Sequence, residues 1–283
     1  MRFTPHPEGI EVVFGAGGVK GFGHIGLVKA LVELKIPVSK VYGVSVGSLV
    51  AAMYANGMTT DEMFAEMSNG LKNRNNLSLF VKTLTPADPV SFAVGGPVDL
   101  TVPMREMVER LKLKPRPELA IVSCDILRHE PVLFDGEDYD LSKAMVASCA
   151  LPTVLRPVWH QDGFIPRLLV DGAVYHYNPT DFCRAGAIVS SFKPATMPPS
   201  DFQSPIDLYF HLREMYAPIA GHRRYVDPHK NTVVEIGLPD VAGLNFGISD
   251  CKARELVEDG YQTAMKVLTE AIAAGKVPTL AAV

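Results

Sequence analysis

Short apolar runs alternate with amphipathic stretches along most of the chain. The apolar runs predict strands at 10–14, 40–44, 119–125, 131–134, 155–159, 167–170, 186–191 and 232–236. The amphipathic stretches predict helices at 21–34, 46–56, 61–71, 103–111, 141–148, 206–216 and 250–274. Strands that alternate with helices are typical of an α/β protein with a mostly parallel sheet covered on both faces. In such proteins the functional site lies at the carboxyl ends of the strands.

Composition and charge narrow the class of protein. The 283 residues carry a formal net charge of −4, which argues against nucleic acid as a main partner. Cys124, Cys149, Cys183 and Cys251 show no paired spacing, so we expect reduced thiols, as in a cytosolic protein. The first residues contain no apolar signal core, and no apolar run is long enough to span a membrane. These features predict a cytoplasmic protein, although secretion without a cleaved signal stays open.

A sharp turn joins the second predicted strand to the next helix. Its sequence is Gly43-Val44-Ser45-Val46-Gly47, a Gly-x-Ser-x-Gly elbow that presents the Ser45 hydroxyl at the start of a helix. Side chains at Gly43 and Gly47 would block the close approach of strand and helix. A serine placed in this way can attack an acyl carbonyl if one group removes its proton and another holds the oxyanion.

A glycine-rich loop, Gly15–Gly21, lies between the first predicted strand and the first helix. Backbone N–H groups in such a loop point towards an anion. A Walker A loop would need Ser or Thr after the lysine, where this chain has Gly21. A dinucleotide fingerprint begins only at Gly21, too far after the strand, and lacks the acidic residue for the ribose. An oxyanion hole formed by the amides of Gly17, Gly18 and Val19, with the charge of Lys20 beside it, fits the nearby serine elbow.

With these motifs the chain resembles the patatin-like phospholipase family. Three segments match the family's motifs in the family's order: the loop Ala16–Gly21, the elbow Gly43–Gly47, and Asp171-Gly172-Ala173 after a predicted strand. The resemblance, which extends over about residues 10–270, implies a three-layer α/β/α fold with a mostly parallel central sheet. It also implies a Ser–Asp dyad, in which Ser45 is the nucleophile and Asp171 the base that later activates water.

Two features of the dyad can be examined from the residues. An aspartate is a poor base at its reference pKa of about 3.9, so partial desolvation would have to raise that pKa. Asp171 stands after a strand and before Gly172, where its carboxylate can project over the carboxyl edge of the sheet. An isolated Asp-Gly pair would be interpreted as a plain turn, and the companion serine elbow is what favours a base.

A Ser-His-Asp triad is the main alternative for the catalytic centre. Its histidine would have to be one of those after Asp171, namely His176, His211, His222 and His229. None of them lies in a recognisable loop after a last core strand, and the serine comes earlier in the chain than in α/β-hydrolases. We expect His24 to help fix the first helix. No cluster of His, Cys and Asp has the spacing of a metal site, and the resemblance implies no metal or other cofactor.

The resemblance implies a lipid acyl hydrolase of the phospholipase A or lysophospholipase type. It would cleave carboxylic esters through a Ser45 acyl-enzyme, act on phospholipid or lysophospholipid, and meet a membrane or micelle surface peripherally. Whether an activating protein partner is needed stays open. Two alternatives are an acyltransferase that uses the same dyad and a catalytically weak lipid- or partner-binding module.

Residues 57–102 break the alternation of strands and helices. A polar segment, Asn69–Asn76, leads into the apolar Leu77–Val81, and prolines punctuate the stretch that follows. Long irregular insertions between core elements often serve as lids or binding loops. We therefore expect a single domain over residues 1–283 with a lid-like insertion at about 57–102. Its apolar segment would cover Ser45, dip into a lipid interface or pack onto the domain.

Overall fold

A computed structural model describes residues 3–72, 98–152, 154–193, 226–238 and 247–280. The strands are β1 (Ile10–Phe14), β2 (Val38–Val44), β3 (Leu119–Asp125), β4 (Glu130–Phe134), β5 (Val158–Asp162), β6 (Ile165–Asp171), β7 (Ile188–Phe192) and β8 (Thr232–Ile236). The α-helices are α1 (Phe22–Glu33), α2 (Val46–Ala55), α3 (Thr60–Lys72), α4 (Thr101–Leu111), α5 (Leu141–Cys149) and α6 (Asp250–Ala273). Short 3₁₀ helices span Gly18–Gly21, Gly172–Val174 and Thr180–Phe182.

In the described part of the chain, all eight strands belong to one sheet. The order β3-β2-β1-β7-β8 is parallel throughout, and β4 and β6 run antiparallel to β3. Strand β5 pairs antiparallel with β6 to form a hairpin at the end of the sheet. The predicted α/β class with a mostly parallel sheet is confirmed.

One predicted strand is misplaced along the sequence. The expectation of a strand at 155–159 is wrong by three residues, because β5 begins at Val158 and ends at Asp162. Pro157 has no N–H to donate to a sheet ladder, which explains why regular pairing starts after it. Leu155 instead forms an isolated bridge with Val98.

The two faces of the sheet are covered differently. The described α-helices pack on one face, where alternate strand residues such as Val12, Phe14, Leu119 and Ile121 are fully buried. The other face, which carries Val13, Tyr42 and Ala120 among others, is covered in the described part of the chain by the 3₁₀ segments around residues 173–183 and by Val226. The predicted helix at 206–216 lies outside the described residues.

Helix α6 packs closely along α1. A Cβ atom at Gly26 would overlap the Val257 carbonyl, and one at Gly260 would overlap the Gly23 carbonyl. Gly26 and Gly260 are thus needed for close contact between the two helices, which accounts for the last glycine of the spacing that formally resembles a dinucleotide fingerprint. The amphipathic last helix packs on the core.

The insertion predicted at 57–102 is only partly described. Its first part contains α3, whose Met63 is fully buried against the core, and residues 73–97 lie outside the described residues. Within the described ranges, no helix combines the length and apolar character needed to cross a bilayer.

Candidate active site

Ser45 and Asp171 meet because two strands end at the same point along β3. Strand β2 runs parallel to the first half of β3 and ends with Val44 opposite Val122. Strand β6 runs antiparallel to the second half of β3 and ends with Asp171 opposite Ser123. The carboxyl ends of β2 and β6 therefore face each other, and the residue that follows β2 is Ser45.

The two side chains are joined by a hydrogen bond. Ser45 Oγ donates to Asp171 Oδ2 at 2.7 Å. The other carboxylate oxygen, Oδ1, accepts from the amide of Ala173 at 2.8 Å, which fixes the plane of the carboxylate. Asp171 is 3% exposed, whereas Ser45 is half-buried. A buried carboxylate thus faces a hydroxyl that is open on one side, and this arrangement can move a proton between the two groups.

The backbone of Ser45 is held in an unusual conformation. Its φ of 53° and ψ of −127° lie in a region that L-residues rarely adopt. Two buried serines hold it there. The Ser45 amide donates to Ser148 Oγ at 2.9 Å, and Ser148 Oγ in turn donates to the Val122 carbonyl at 2.7 Å. Ser48 Oγ donates to the Ser45 carbonyl at 2.6 Å.

Three motif glycines bring backbone segments into direct contact. A Cβ atom at Gly47 would overlap the Phe14 carbonyl, so the elbow touches the end of β1. One at Gly43 would lie 2.5 Å from the Gly47 carbonyl oxygen, and one at Gly172 would overlap the Val122 carbonyl. Larger residues at these positions would separate the elbow, the loop after β1 and the segment that carries Asp171.

The glycine-rich loop passes from β1 into a 3₁₀ helix. Its first two amides are hydrogen-bonded to other parts of the backbone. Gly15 N–H donates to the Ser190 carbonyl and Ala16 N–H to the Tyr177 carbonyl, both at 3.0 Å. The first bond within the 3₁₀ turn is donated by the Lys20 amide to the Gly17 carbonyl at 3.2 Å. The amides of Gly17, Gly18 and Val19 precede this bond, so they are the free N-terminal donors of the turn. Gly18 has φ 56°, a conformation that favours glycine.

This loop lies directly against the serine elbow. A Cβ atom at Gly21 would overlap Val46 Cγ2, and one at Gly47 would lie 2.7 Å from the Gly15 carbonyl oxygen. Val46 follows Ser45 in the chain, so the amides of the 3₁₀ turn stand beside the nucleophile candidate. This is the neighbourhood that an oxyanion hole requires.

His24 connects the loop to the neighbouring strand. It is fully buried, with Nε2 2.8 Å from the Gly15 carbonyl oxygen and Nδ1 2.8 Å from Ser190 Oγ. Because a carbonyl only accepts, Nε2 carries the proton and Nδ1 accepts from the serine. Burial lowers the pKa of His24 to about 4, so the imidazole is neutral near pH 7. Its neutral ring therefore braces the loop, a role beyond the expected fixing of the helix.

The histidines that a triad would require lie elsewhere or outside the described residues. His176 is 5% exposed, and its Nε2 is 3.9 Å from Asp181 Oδ2. His229 lies on an exposed turn, where its amide donates to Asp227 Oδ1. Within the described ranges, no imidazole lies within hydrogen-bond distance of Ser45 Oγ, and His211 and His222 are not among the described residues.

Two thiols lie near the carboxylate, and the structure keeps them protonated. Burial, followed by the charges of Asp125 and Asp171, raises the pKa of Cys124 to about 11. Burial and then the charge of Asp171 raise the pKa of Cys149 further. Cys149 Sγ is 3.8 Å from Ser48 Oγ, so the thiol contacts the elbow as a neutral group. All four cysteines are free thiols in the structure.

The sequence did not identify the three serines whose hydrogen bonds hold the elbow and the loop in place. Ser48, Ser148 and Ser190 are isolated serines with no spacing that identifies them, and each makes its contact across 3 to 166 positions of the chain. Packing of α5 on β3, where Ser148 Oγ donates to the Val122 carbonyl, is what makes Ser148 reach Ser45.

Comparison with known proteins agrees with this architecture. The family model for patatin-like phospholipases matches residues 12–184, which contain the glycine-rich loop, the elbow and Asp171. An uncharacterized NTE family protein of Mycobacterium tuberculosis is 30% identical over 178 residues, which are 62% of this chain and 45% of that protein. The lysophospholipase nte1 of Aspergillus fumigatus is 33% identical over 86 residues, 30% of this chain and 6% of that protein. The chain thus spans less than half the length of the curated relatives that it matches.

Among solved structures, VipD from Legionella pneumophila has a similar fold. The two chains are 13% identical with a TM-score of 0.50, and the match covers 94% of this chain and 68% of VipD. The predicted patatin-like α/β fold, with a central sheet flanked by helices, is confirmed. Fold and motifs together define an α/β protein with a serine elbow beside a glycine-rich turn. The chain belongs to the patatin-like phospholipase family.

Proposed function

We propose that this protein is a lipid acyl hydrolase of the phospholipase A or lysophospholipase type, in which Ser45 is the nucleophile and Asp171 the general base. The observation that carries the proposal is the 2.7 Å hydrogen bond from Ser45 Oγ to Asp171 Oδ2 at the carboxyl edge of the sheet. Family membership supports a lipid ester as the substrate, and one relative bears the name lysophospholipase.

In the first half-reaction, Ser45 Oγ attacks the ester carbonyl carbon while its proton moves to Asp171 Oδ2. The Ala173 amide, bonded to Oδ1, keeps Oδ2 aimed at the serine. The carbonyl oxygen becomes an oxyanion, which the amides of Gly17, Gly18 and Val19 stabilise with the charge of Lys20 nearby. Asp171 then gives the proton to the departing alkoxide, which leaves as the alcohol or lysophospholipid.

In the second half-reaction, water replaces the alcohol. Asp171 takes a proton from the water, whose oxygen attacks the acyl carbonyl, and the same loop holds the second oxyanion. The Ser45–acyl bond breaks, Asp171 returns the proton to Ser45 Oγ, and the fatty acid leaves. The protein carboxylate is ionised at the start and at the end, so no external acid or base is consumed.

The proposal is tested by product analysis with purified protein. Wild type incubated with mixed phospholipids and lysophospholipids should release free fatty acid, and Ser45→Ala should release none above the level of lipid alone. Adding an acceptor alcohol tests the transferase alternative, because transfer would yield a new ester instead of fatty acid. Absence of fatty acid and of new ester from the wild type would contradict an acyl-transfer function.

A further inference from the structure

The β5–β6 hairpin projects past the edge of the sheet that carries Ser45 and Asp171. Strand β6 pairs with β3 only at Leu169–Asp171, so residues 165–168 extend beyond the end of β3. The six residue steps from Ile165 to Asp171 correspond to about 20 Å of extended strand. The turn at Gly163–Phe164 is therefore the outermost point of this hairpin.

Large apolar side chains are exposed around this outer end. Phe164 is fully exposed, Trp159 is 62% exposed and Ile165 is 52% exposed. The adjoining turn after β3 adds Ile126 and Leu127, and the Ile126 amide donates to the Leu168 carbonyl of β6. We call these five residues the apolar tip. They account for five of the eight large hydrophobic residues that are exposed in the described part of the chain.

The apolar tip is not a flat patch. Trp159 is paired with Leu168 and Asp162 with Ile165, so Trp159 and Ile165 point to opposite faces of the hairpin because side chains alternate along a strand. Phe164 occupies the turn between them. A protein partner that docks on one face would leave the other side chain in water. A lipid surface surrounds an inserted hairpin and can cover all of these side chains at once.

The acidic side chains around the tip are paired within the protein. Arg167 is 2.6 Å from Glu130 and 3.0 Å from Asp162, and Arg128 is 2.7 Å from Asp125. Each of these carboxylates is paired with an arginine, which reduces their repulsion from lipid phosphates. Tryptophan is also the side chain most suited to the headgroup region, because it combines an apolar ring with an N–H donor.

We propose that the apolar tip inserts into the surface of neutral phospholipid assemblies and tethers the protein there. The inference rests on the proposed lipid hydrolase function, since it supplies the surface on which the substrate is found. Phe164 and Ile165, the outermost residues of the tip, lie about 20 Å of extended strand away from Asp171, so a change at Phe164 acts on how the protein is held at the lipid and leaves the chemistry at Ser45 unchanged. Loss of the tip should therefore raise the lipid concentration for half-maximal rate, with the maximal rate retained.

The chain contains one tryptophan, which makes the test direct. Vesicles of diether phosphatidylcholine, which has no carboxylic ester, allow wild type to be studied without hydrolysis. Wild type should co-sediment with these vesicles, and Trp159 emission should shift to the blue as the ring leaves water. Phe164→Asp should weaken vesicle binding by about tenfold or more, because it puts a charge in place of the phenyl group that insertion into lipid would bury.

A matched control tests whether position matters. Leu280 is also exposed, at 47%, but its amide binds the Lys35 carbonyl just before β2, at the opposite end of the parallel strands. Leu280→Asp adds the same charge and should bind vesicles like wild type. Both variants should retain wild-type hydrolysis of a short-chain, water-soluble ester. A wild type that binds vesicles but cleaves no ester would contradict the proposed function while leaving the tether intact.

Four results would overturn the tether. They are absence of wild-type binding, equal binding by Phe164→Asp, binding that disappears at 0.5 M salt or needs anionic lipid, and a Trp159 spectrum that does not change with vesicles. Insertion of apolar groups should be insensitive to salt, unlike attraction between charges. Size-exclusion chromatography adds one more outcome: a wild-type dimer that Phe164→Asp converts to monomer, without vesicle binding, would assign the tip to self-association.

Discussion

The two ends of strand β6 carry opposite kinds of side chain. At its carboxyl end Asp171 is 3% exposed, bonded to Ser45 and to the Ala173 amide. At its amino end Ile165 is 52% exposed beside the fully exposed Phe164. A few residue steps thus separate a buried polar group with fixed partners from apolar groups in contact with water, an inversion of the usual pattern of burial.

This contrast separates the residues that we expect to carry out the reaction from those that we expect to contact the lipid surface. Changes at the Asp171 end should lower the rate with every substrate, whether dissolved or in a lipid assembly. Changes at the Phe164 end should act only when the substrate is in a lipid assembly. Comparing a soluble ester with vesicle substrate for each variant therefore places its residue in one region or the other.

The largest effect is expected from the pair itself. Ser45→Ala removes the nucleophile, and Asp171→Asn removes the proton acceptor while keeping the shape of the side chain. Each should lower kcat by about 10⁴-fold or more with soluble and vesicle substrates alike. Steady-state kinetics with both substrates measures this, and circular dichroism controls for folding. An equal decrease in kcat of Phe164→Asp on the soluble ester would contradict the division of roles between the two ends of β6.

A second prediction concerns the glycine-rich loop. An alanine at Gly21 would overlap Val46, so Gly21→Ala should push the loop away from the elbow. Loss of one oxyanion donor costs roughly 10²–10³ in kcat, and we expect a decrease of that order. The double variant Gly21→Ala/Val46→Ala makes room for the new methyl group and should recover most of the rate. If the double variant is as slow as the single one, the position of the loop against Val46 is not what matters.

A smaller effect is expected at the serine that holds the elbow. Ser148→Ala leaves the Ser45 amide and the Val122 carbonyl without their shared partner, which should cost about 1–3 kcal/mol of unfolding free energy. It should also lower kcat about tenfold through misplacement of Ser45. Ser123→Ala is the control, because this equally buried hydroxyl donates to the Val170 carbonyl and does not contact Ser45. A similar stability loss with a much smaller decrease in kcat is expected for the control, and equal decreases would contradict the positioning role.

The smallest effect concerns the pH dependence of stability. The pKa of His24 is lowered from 6.5 to about 4 by burial, so the unfolded chain gains a proton as the pH falls below 6.5 while the folded chain does not. The contribution of the neutral ring to the free energy of unfolding is fully present above pH 6.5 and is lost as the pH falls towards 4. Urea unfolding should show about 2 kcal/mol less stability from this group at pH 5 than at pH 7. His24→Gln should remove that part of the slope, and an unchanged slope would show that His24 titrates normally.

Much of the fold follows from the sequence pattern because the parallel strands are short apolar runs between clear helices. The predicted bounds of β1, β3 and β8 are the observed ones, and those of the other two parallel strands, β2 and β7, lie within two residues of them. The hairpin was harder to predict, since β5 contains Trp-His-Gln-Asp and is half in water, so it has no continuous apolar run. Its exposed phenylalanine also gives no signal in a pattern that assumes apolar residues are buried.

The site could be predicted in part for a related reason. Ser45 and the loop precede helices within short motifs, so local sequence identifies them. Their relation to Asp171 depends on β3 pairing with β2 at one half and β6 at the other, which is a property of register and not of composition. Ser148 becomes a partner of Ser45 only when α5 packs on β3, and Ser190 becomes a partner of His24 only when β7 pairs with β1, so nothing local distinguishes these two serines from others. Ser48 contacts the Ser45 carbonyl three residues away, at the start of α2.

The most direct test of the account is the labelling of the nucleophile by a fluorophosphonate probe, followed by peptide mapping and compared across variants. Wild type should carry the adduct on Ser45, Ser45→Ala should carry none, and Asp171→Asn should react at least about 10³-fold more slowly. Single alanine variants of His176, His211, His222 and His229 should label within a few-fold of wild type. An adduct on another residue, or a histidine variant as unreactive as Asp171→Asn, would contradict the Ser45–Asp171 pair as the catalytic unit.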